Sequence, residues 1–200
     1  MRYILSGLLL LVTTGATAQE GPSFDCAKAE SSAEKLVCDD AELARLDRLV
    51  ARRFDEAVAA IRAADVGAEA GERELRAYQR GWIKGRDDCW KANDLRTCVS
   101  DAYLLREAEL VAKWMLQPPL AVASYACNGN PANEVTAYFY NTERPGVRLE
   151  YGDSIRTGTL VPTGSGSKYV TEWGGFIWIQ GREAQFSWVE GTQMACVAAD

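Results

Sequence analysis

The spacing of apolar residues changes near the middle of the chain. In residues 34–64 apolar side chains recur every three to four positions, and this spacing returns in residues 75–82 and 103–114. Such spacing places apolar side chains on one face of a helix. The N-terminal half is therefore predicted to form three amphipathic helices, with breaks at residues 65–71 and 86–98. The apolar positions are Leu36, Leu43, Leu46, Val50, Phe54, Ala57, Val58, Ile61, Leu75, Tyr78, Trp82, Tyr103, Leu104, Leu110, Val111 and Trp114.

In the C-terminal half the hydrophobic period is two. Val135, Ala137 and Phe139 alternate with polar or amphipathic residues, and Val147 and Leu149 alternate with charged ones. This period is typical of half-buried antiparallel strands. Glycine- and asparagine-rich turn signals divide this half into about eight short strands. So many strands in such a short segment predict a small closed or nearly closed barrel.

A proline pair, Pro118 and Pro119, lies between the two patterns. Two prolines remove two amide donors and bias the preceding residue away from helix. We therefore predict an α+β fold in two separate domains. Residues 19–116 form a disulfide-pinned helical bundle, 117–120 a Pro-rich linker, and 121–200 a small antiparallel eight-stranded β-barrel.

The first residues have the pattern of a secretory signal. Arg2 precedes an apolar run from Tyr3 to Val12, and Ala16-Thr17-Ala18 offers a small-residue cleavage site. The apolar run is about half as long as a membrane span requires. We expect residues 1–18 to be removed by cleavage near Ala18, leaving a periplasmic chain without a membrane anchor.

Composition narrows the class of partner. The chain has 22 basic and 28 acidic residues, a formal net charge of −6, and neither half offers a basic face for nucleic acid. An acidic surface favours a cationic partner through long-range attraction. Ordinary solubility explains the same charge equally well.

The six cysteines occur in a chain without histidine, which favours disulfides over a metal site. Six thiols permit many pairings, but their grouping along the chain favours pairs within each half. The favoured pairs are Cys26 with Cys38, Cys89 with Cys98, and Cys127 with Cys196. We expect no metal and no cofactor.

Few residues suit catalysis. Without histidine there is no Ser-His or Cys-His pair, and Ser165 does not lie in a Gly-x-Ser-x-Gly elbow. The adjacent acids Asp39-Asp40 and Asp87-Asp88 are typical of helix ends and turns. We therefore expect a protein that is not an enzyme.

A series of spaced residues runs through the helical half: Cys26, Cys38, the segment Leu43 to Asp47, Gln79, Trp82, Arg86, Cys89, Cys98, Tyr103 and Arg106. Over roughly residues 24–115 this layout resembles the N-terminal domain of LprI-like proteins. The resemblance implies an exported helical domain, and lysozyme inhibition is attributed to one branch of that family. Gln79, Trp82 and Arg86 then form a binding ridge on one helical face, or, as we favour, Trp82 is a core residue and Arg86 pairs with a carboxylate such as Asp47.

Four separated elements mark the C-terminal half: Tyr125-x-Cys127, the segment Ser165 to Tyr169, Trp178-x-x-Gly181-x-Glu183-Ala184, and Cys196. Over about residues 121–198 they resemble MliC-like domains, which inhibit c-type lysozyme. The resemblance implies c-type lysozyme as a protein partner. The predicted cleavage site is followed directly by Gln19 and not by a cysteine, so the lipid-anchored form of some inhibitors is not indicated.

In that family a loop serine and a strand lysine enter the lysozyme cleft and bond to its catalytic carboxylates. The cleft holds one protonated carboxylic acid and one ionised carboxylate. A hydroxyl can donate to one and accept from the other, and an ammonium neutralises the ionised group.

The resemblance assigns this role to a small set of residues. The loop hydroxyl is Ser165, and Gln180 stands where the family has its lysine. Arg182, expected on the same strand face as Gln180, can supply the missing cation. The lysozyme-binding residues are thus expected to be Thr163, Ser165, Gly166, Lys168, Tyr169, Gln180 and Arg182, although a place in the core or in a cross-strand pair is favoured for Tyr169 and also for Trp178. The alternative function is a non-catalytic envelope adaptor that binds a periplasmic or peptidoglycan partner through the helical domain.

Overall fold

The computed structural model describes residues 20–64 and 66–199, and the predicted signal sequence lies outside these residues. Within them, four α-helices precede eight β-strands. The helices are α1 (Ser32–Asp39), α2 (Ala41–Arg62), α3 (Ala68–Asp87) and α4 (Leu95–Trp114). The strands are β1 (Ala121–Cys127), β2 (Asn130–Tyr140), β3 (Gly146–Tyr151), β4 (Ser154–Val161), β5 (Ser167–Thr171), β6 (Phe176–Gln180), β7 (Glu183–Ser187) and β8 (Gln193–Ala198). None of the helices described is both long enough and apolar enough to cross a membrane.

The strands form a closed antiparallel barrel in chain order, which confirms the predicted fold class. β1 closes the barrel by pairing with β8, and Cys127 and Cys196 are directly opposite each other across this seam. Their disulfide therefore joins the first strand to the last. The inward-facing core consists of Tyr125, Val135, Ala137, Val147, Leu149, Tyr169, Ile177, Ala184 and Phe186, together with the disulfide.

The first predicted helix is in fact two helices that meet at Asp40. Its carboxylate caps α2 by accepting hydrogen bonds from the amides of Glu42 and Leu43. Ser31 and Glu34 form a capping box at the start of α1. The apolar spacing continues across the junction, so periodicity alone did not reveal the break, although an acid followed by an apolar run is a helix-start signal.

The remaining disulfides also follow the predicted pairs. The Cys26–Cys38 bond ties the segment before α1 to the end of α1. The Cys89–Cys98 bond joins the residues after α3 to the start of α4. Each bond thus ties a short segment outside the α-helices to one of the helices.

A buried polar network lies inside the helical bundle. The hydroxyl of Tyr103 donates to Asp47 at 2.8 Å and accepts from Arg86, also at 2.8 Å. Trp82 packs edge-on against Tyr103 with 5.3 Å between ring centroids. Burial raises the pKa of Tyr103. These contacts support the structural interpretation of Trp82 and Arg86 over a binding ridge.

The helical half packs against the barrel through α4, which contacts β2, β3 and β4. At Gly146 an added Cβ would lie only 3.3 Å from the Cβ of Ala108, so glycine permits the close approach. Glu107 is buried at this contact and accepts from the amide of Glu143 at 2.9 Å. Burial raises the pKa of Glu107. This contact could not be predicted from the sequence, because its residues come from distant segments.

Candidate functional site

The loop between β4 and β5, residues 162–166, projects from one end of the barrel. Because neighbouring strands are antiparallel, successive loops alternate between the two barrel ends. The β6–β7 turn at Gly181 and Arg182 therefore shares the end that carries Ser165. Both Ser165 and Arg182 are exposed.

Three side chains hold Ser165 in position. The indole Nε1 of Trp178 donates to the Ser165 carbonyl at 2.9 Å, and the hydroxyl of Thr163 donates to the same carbonyl at 3.3 Å. The amide Nε2 of Gln180 donates to Ser165 Oγ at 3.1 Å. Since Oγ accepts from Gln180, its own proton remains to be donated. Among the residues that the structure describes, no acceptor for that proton is seen.

Gly166 lets the loop lie directly on β6. Its φ is +66°, and a Cβ added there would lie 2.1 Å from the carbonyl oxygen of Ile179. A side chain in this position is excluded both by that contact and by the left-handed backbone. Glycine at this position therefore fixes the distance between Ser165 and the side chains of β6.

Lys168 brings a positive charge to the same side of the barrel. It pairs with Trp178 across β5 and β6. Its ammonium lies 4.5 Å from the ring centroid of Phe176 and 5.5 Å from that of Trp178. Cation–π contacts of this kind hold the ammonium against the strand. Lys168 and the backbone of Ser165 thus both contact Trp178.

Tyr169 and Arg182, two of the predicted lysozyme-binding residues, do not lie on the outer face of β6 beside the loop. Tyr169 points into the barrel and packs on Phe139 with 5.4 Å between ring centroids, in agreement with the core packing that the sequence favoured. Arg182 does not share a strand face with Gln180, because β6 ends at Gln180 and Arg182 lies in the turn that follows. Its guanidinium donates to the carbonyl of Ala198 at 3.1 Å.

Trp178 has a role that the sequence interpretation missed. It lies opposite Lys168 and Gln185 across the strands, as the expected cross-strand packing requires, and its indole also anchors the loop carbonyl. Trp178 and Gln180 are two positions apart on β6 and so lie on one face of the strand. A shallow cavity of about 280 Å³ borders both residues and extends toward Glu183 and Gln185. The two-residue spacing was the available signal.

The barrel half of the chain is similar to a known protein family. Residues 125–195 match the protein-family model described as "Membrane-bound lysozyme-inhibitor of c-type lysozyme".

The chain is also similar to whole proteins. Lipoprotein LprI of Mycobacterium bovis and lipoprotein LprI of two strains of Mycobacterium tuberculosis are each 33% identical to it over 161 residues. Each alignment covers 78% of this chain and 74% of the relative. An alignment of that length includes parts of both the helical bundle and the barrel. The chain belongs to the LprI family.

Proposed function

We propose that this protein is an inhibitor of c-type lysozyme that works in the bacterial envelope and places the Ser165 loop in the active-site cleft of the enzyme. The family match over the barrel and the LprI relatives support the general function. Residues 1–18 then serve as the export signal. The observation that carries the loop mechanism is the hydrogen bond from Gln180 to Ser165 Oγ.

This bond decides what Ser165 can offer to a partner. Because Gln180 occupies an acceptor site of the hydroxyl, Ser165 presents its proton outward. An ionised carboxylate in the lysozyme cleft is a strong acceptor, and hydrogen bonds to charged groups are stronger than neutral ones. Gln180 is therefore a positioning residue, which orients the hydroxyl that makes the contact.

In this proposal, two residues next to the loop supply the positive charge. Lys168 lies on the strand that follows the loop, and Arg182 lies in the adjacent turn. Both are placed to favour approach of an ionised carboxylate, and such charges affect the association rate more than the final affinity. Ser165 and Arg182 contact the cleft, and Gln180 assists.

The test is the Ser165→Ala substitution in the full-length protein. Loss of one hydrogen bond to a charged group costs about 1.5–3 kcal/mol, or roughly 10- to 100-fold in the inhibition constant. Inhibition is measured as slower lysis of cell-wall suspensions by c-type lysozyme. Ser167→Ala is the matched control, since Ser167 is also exposed but begins β5.

A decrease with Ser165→Ala and none with Ser167→Ala supports the loop mechanism. Equal inhibition by both variants contradicts it, even if the protein still inhibits. If wild-type protein does not slow lysis at all, the inhibitor function fails as well, and the envelope-adaptor hypothesis takes its place.

A further inference from the structure

A cleft lies between the helical bundle and the side of the barrel. Three adjoining cavities of about 370, 410 and 420 Å³ share Glu109 on α4 and Glu172 after β5. One wall comes from α3 and α4, and includes Tyr78. The opposite wall comes from the barrel, and includes Arg156 and Trp173. Ligand sites occur preferentially where domains meet.

Trp173 is the most unusual residue of this cleft. Its side chain is 75% exposed, and its backbone is left-handed, with φ 54° and ψ 38°. A bulky side chain rarely adopts this conformation, which carries a free-energy cost. The turn is held in place by the amide of Glu190, which donates to the Trp173 carbonyl at 3.2 Å. The protein thus keeps an indole ring in solvent at the mouth of a cleft.

Arg156 supplies hydrogen-bond donors beside this ring. Its guanidinium lies between the rings of Trp173 and Trp188, at 4.9 Å and 4.4 Å from their centroids. One nitrogen, Nη1, donates to the carbonyls of Trp188 and Glu172. Within the described residues the N–H groups on Nε and Nη2 have no acceptor, so they can bind a ligand.

The carboxylates differ in their availability. Glu109 is already paired with Arg106 at 2.8 Å. Glu172, in contrast, has no hydrogen bond or ion pair through its carboxylate in the part of the chain that the structure describes. Glu172 can therefore accept hydrogen bonds from a ligand next to the donors of Arg156.

Tyr78 provides a second exposed ring on the helical wall. It is 55% exposed, and the ammonium of Lys113 lies 4.9 Å from its ring centroid. Tyr78 and Trp173 both border the cavity of about 420 Å³. The cleft therefore has an aromatic ring on each wall, with donors and an acceptor between them.

We propose that this cleft binds a neutral oligosaccharide. A sugar ring has an apolar face of C–H groups, which packs on an aromatic ring, and hydroxyls at its edge that need both donors and acceptors. Trp173, Arg156 and Glu172 provide these together. Charge argues against charged ligands, because a cation would meet Arg156 and Lys113, whereas an anion would meet Glu109 and Glu172.

The cleft is separate from the lysozyme-binding loop proposed above. The turn that carries Trp173 connects β5 to β6, whereas the Ser165 loop connects β4 to β5. Consecutive connections in an antiparallel barrel lie at opposite ends. Binding of a saccharide at Trp173 does not require the Ser165 loop, and either proposal can fail without the other.

The test is calorimetric titration of the full-length protein, without lysozyme, with the β-1,4-linked tetramer of N-acetylglucosamine and with cellotetraose. We expect saturable binding of at least one of them. Trp173→Ala should weaken it about tenfold or more, because the ring provides the packing surface for the sugar. Trp90→Ala is the matched control, since Trp90 is 64% exposed but lies outside the cleft.

A second variant, Tyr78→Ala, tests the opposite wall and should also weaken binding. Ser165→Ala should bind the tetramers as the wild type does. The proposal is overturned if neither tetramer binds at concentrations of several millimolar, or if Trp173→Ala binds as tightly as Trp90→Ala. Binding of an oligolysine peptide in place of both tetramers overturns it as well.

Discussion

Ser165 shows how a flexible-looking sequence becomes a defined site. A Gly-Ser-Gly-Ser run is compatible with a mobile linker, but here the carbonyl of Ser165 is bound by Trp178 and its hydroxyl by Gln180. Ordering such a loop before it meets a partner reduces the entropy lost on binding. If the loop enters the lysozyme cleft as proposed, the hydrogen bonds to β6 contribute to affinity although their side chains need not contact the enzyme.

Gly166→Ala tests whether the position of the loop matters for inhibition. The new Cβ would meet the carbonyl oxygen of Ile179 at 2.1 Å, and alanine disfavours a φ of +66°. The loop must then move away from β6, which weakens both bonds to Ser165. We expect inhibition to fall by about tenfold or more, the equivalent of about 1.4 kcal/mol, in the lysis assay.

Gly164→Ala is the control for this change. Nothing lies within 4 Å of a Cβ added at Gly164, so the loop should keep its position. Urea denaturation of both variants shows whether the barrel remains folded. If Gly166→Ala inhibits as strongly as Gly164→Ala, the fixed position of Ser165 is not needed.

For the candidate site, the sequence indicated which residues lie near the loop better than it indicated which of them contact one another. Ser165, Lys168 and Gln180 all lie at or beside the loop, as the family resemblance implied. Arg182 was placed on the face of β6 because two-residue spacing was assumed to continue past Gln180. The strand ends there and turns at Gly181, whose φ of +66° is typical of a tight turn.

At the level of elements, Asp40 connects two helices that the hydrophobic pattern had merged. Its carboxylate caps α2, and it also accepts from Arg96 of α4 at 2.7 Å. The bond from Arg96 and the helix amides hold the pKa of Asp40 below its usual value. One side chain thus fixes the α1–α2 corner and links it to α4.

Asp40→Ala should lower the free energy of unfolding by about 1–2 kcal/mol at neutral pH, a typical cost for losing an N-cap. The folded-state pKa of Asp40 lies below its unfolded value. The stabilising contribution is therefore present above about pH 4 and is lost as the pH falls through the folded-state pKa. Urea denaturation at pH 7 and at pH 3 should show the difference from wild type shrinking in acid.

Asp39→Ala provides the comparison, because Asp39 is exposed and ends α1. A carboxylate at a helix C-terminus is not favoured by the helix dipole, so its removal should leave stability unchanged or slightly higher. Equal losses from Asp39→Ala and Asp40→Ala would show that the cap contributes nothing specific.

Strand and helix content followed from the sequence, because each type of periodicity persists over many residues. The period of two predicted an eight-stranded barrel, and cysteine grouping predicted all three disulfides. The junction at Asp40 was missed because Leu36 and Leu43 are seven residues apart, a spacing that a single helix also satisfies. Capping chemistry, and not periodicity, determines that boundary.

On the scale of the whole molecule, the two halves are joined by more than the proline segment. Arg148 of β3 donates to the carbonyl of Lys113 at 2.9 Å, and Arg45 of α2 pairs with Glu143 at 2.9 Å. Arg144 is paired with Asp101 of α4. These contacts join residues that are far apart in the chain, and such pairs carry no periodic signal. The cleft between the halves could not be predicted for the same reason.

The two proposed sites depend on this arrangement to different degrees. The loop at Ser165 is held by barrel residues, whereas the cleft needs walls from both halves. Gly146→Val should separate these requirements, because its side chain would press against Ala108 and Thr142, which lie 3.3 Å and 3.2 Å from a Cβ at this position. Overpacking of this kind costs about 1–3 kcal/mol and should displace α4 from the barrel.

We expect the Gly146→Val protein to lose saccharide binding in calorimetry while it keeps lysozyme inhibition in the lysis assay. Faster proteolysis within residues 117–120 should accompany the change, because α4, which leads into this segment, would no longer be fixed against the barrel. Gly164→Val is the control for the proteolysis and for the calorimetry, since nothing lies within 4 Å of that position. If inhibition falls together with saccharide binding, the helical half takes part in lysozyme recognition. The inhibitory surface would then depend on how the bundle packs on the barrel, and the loop alone would not account for inhibition.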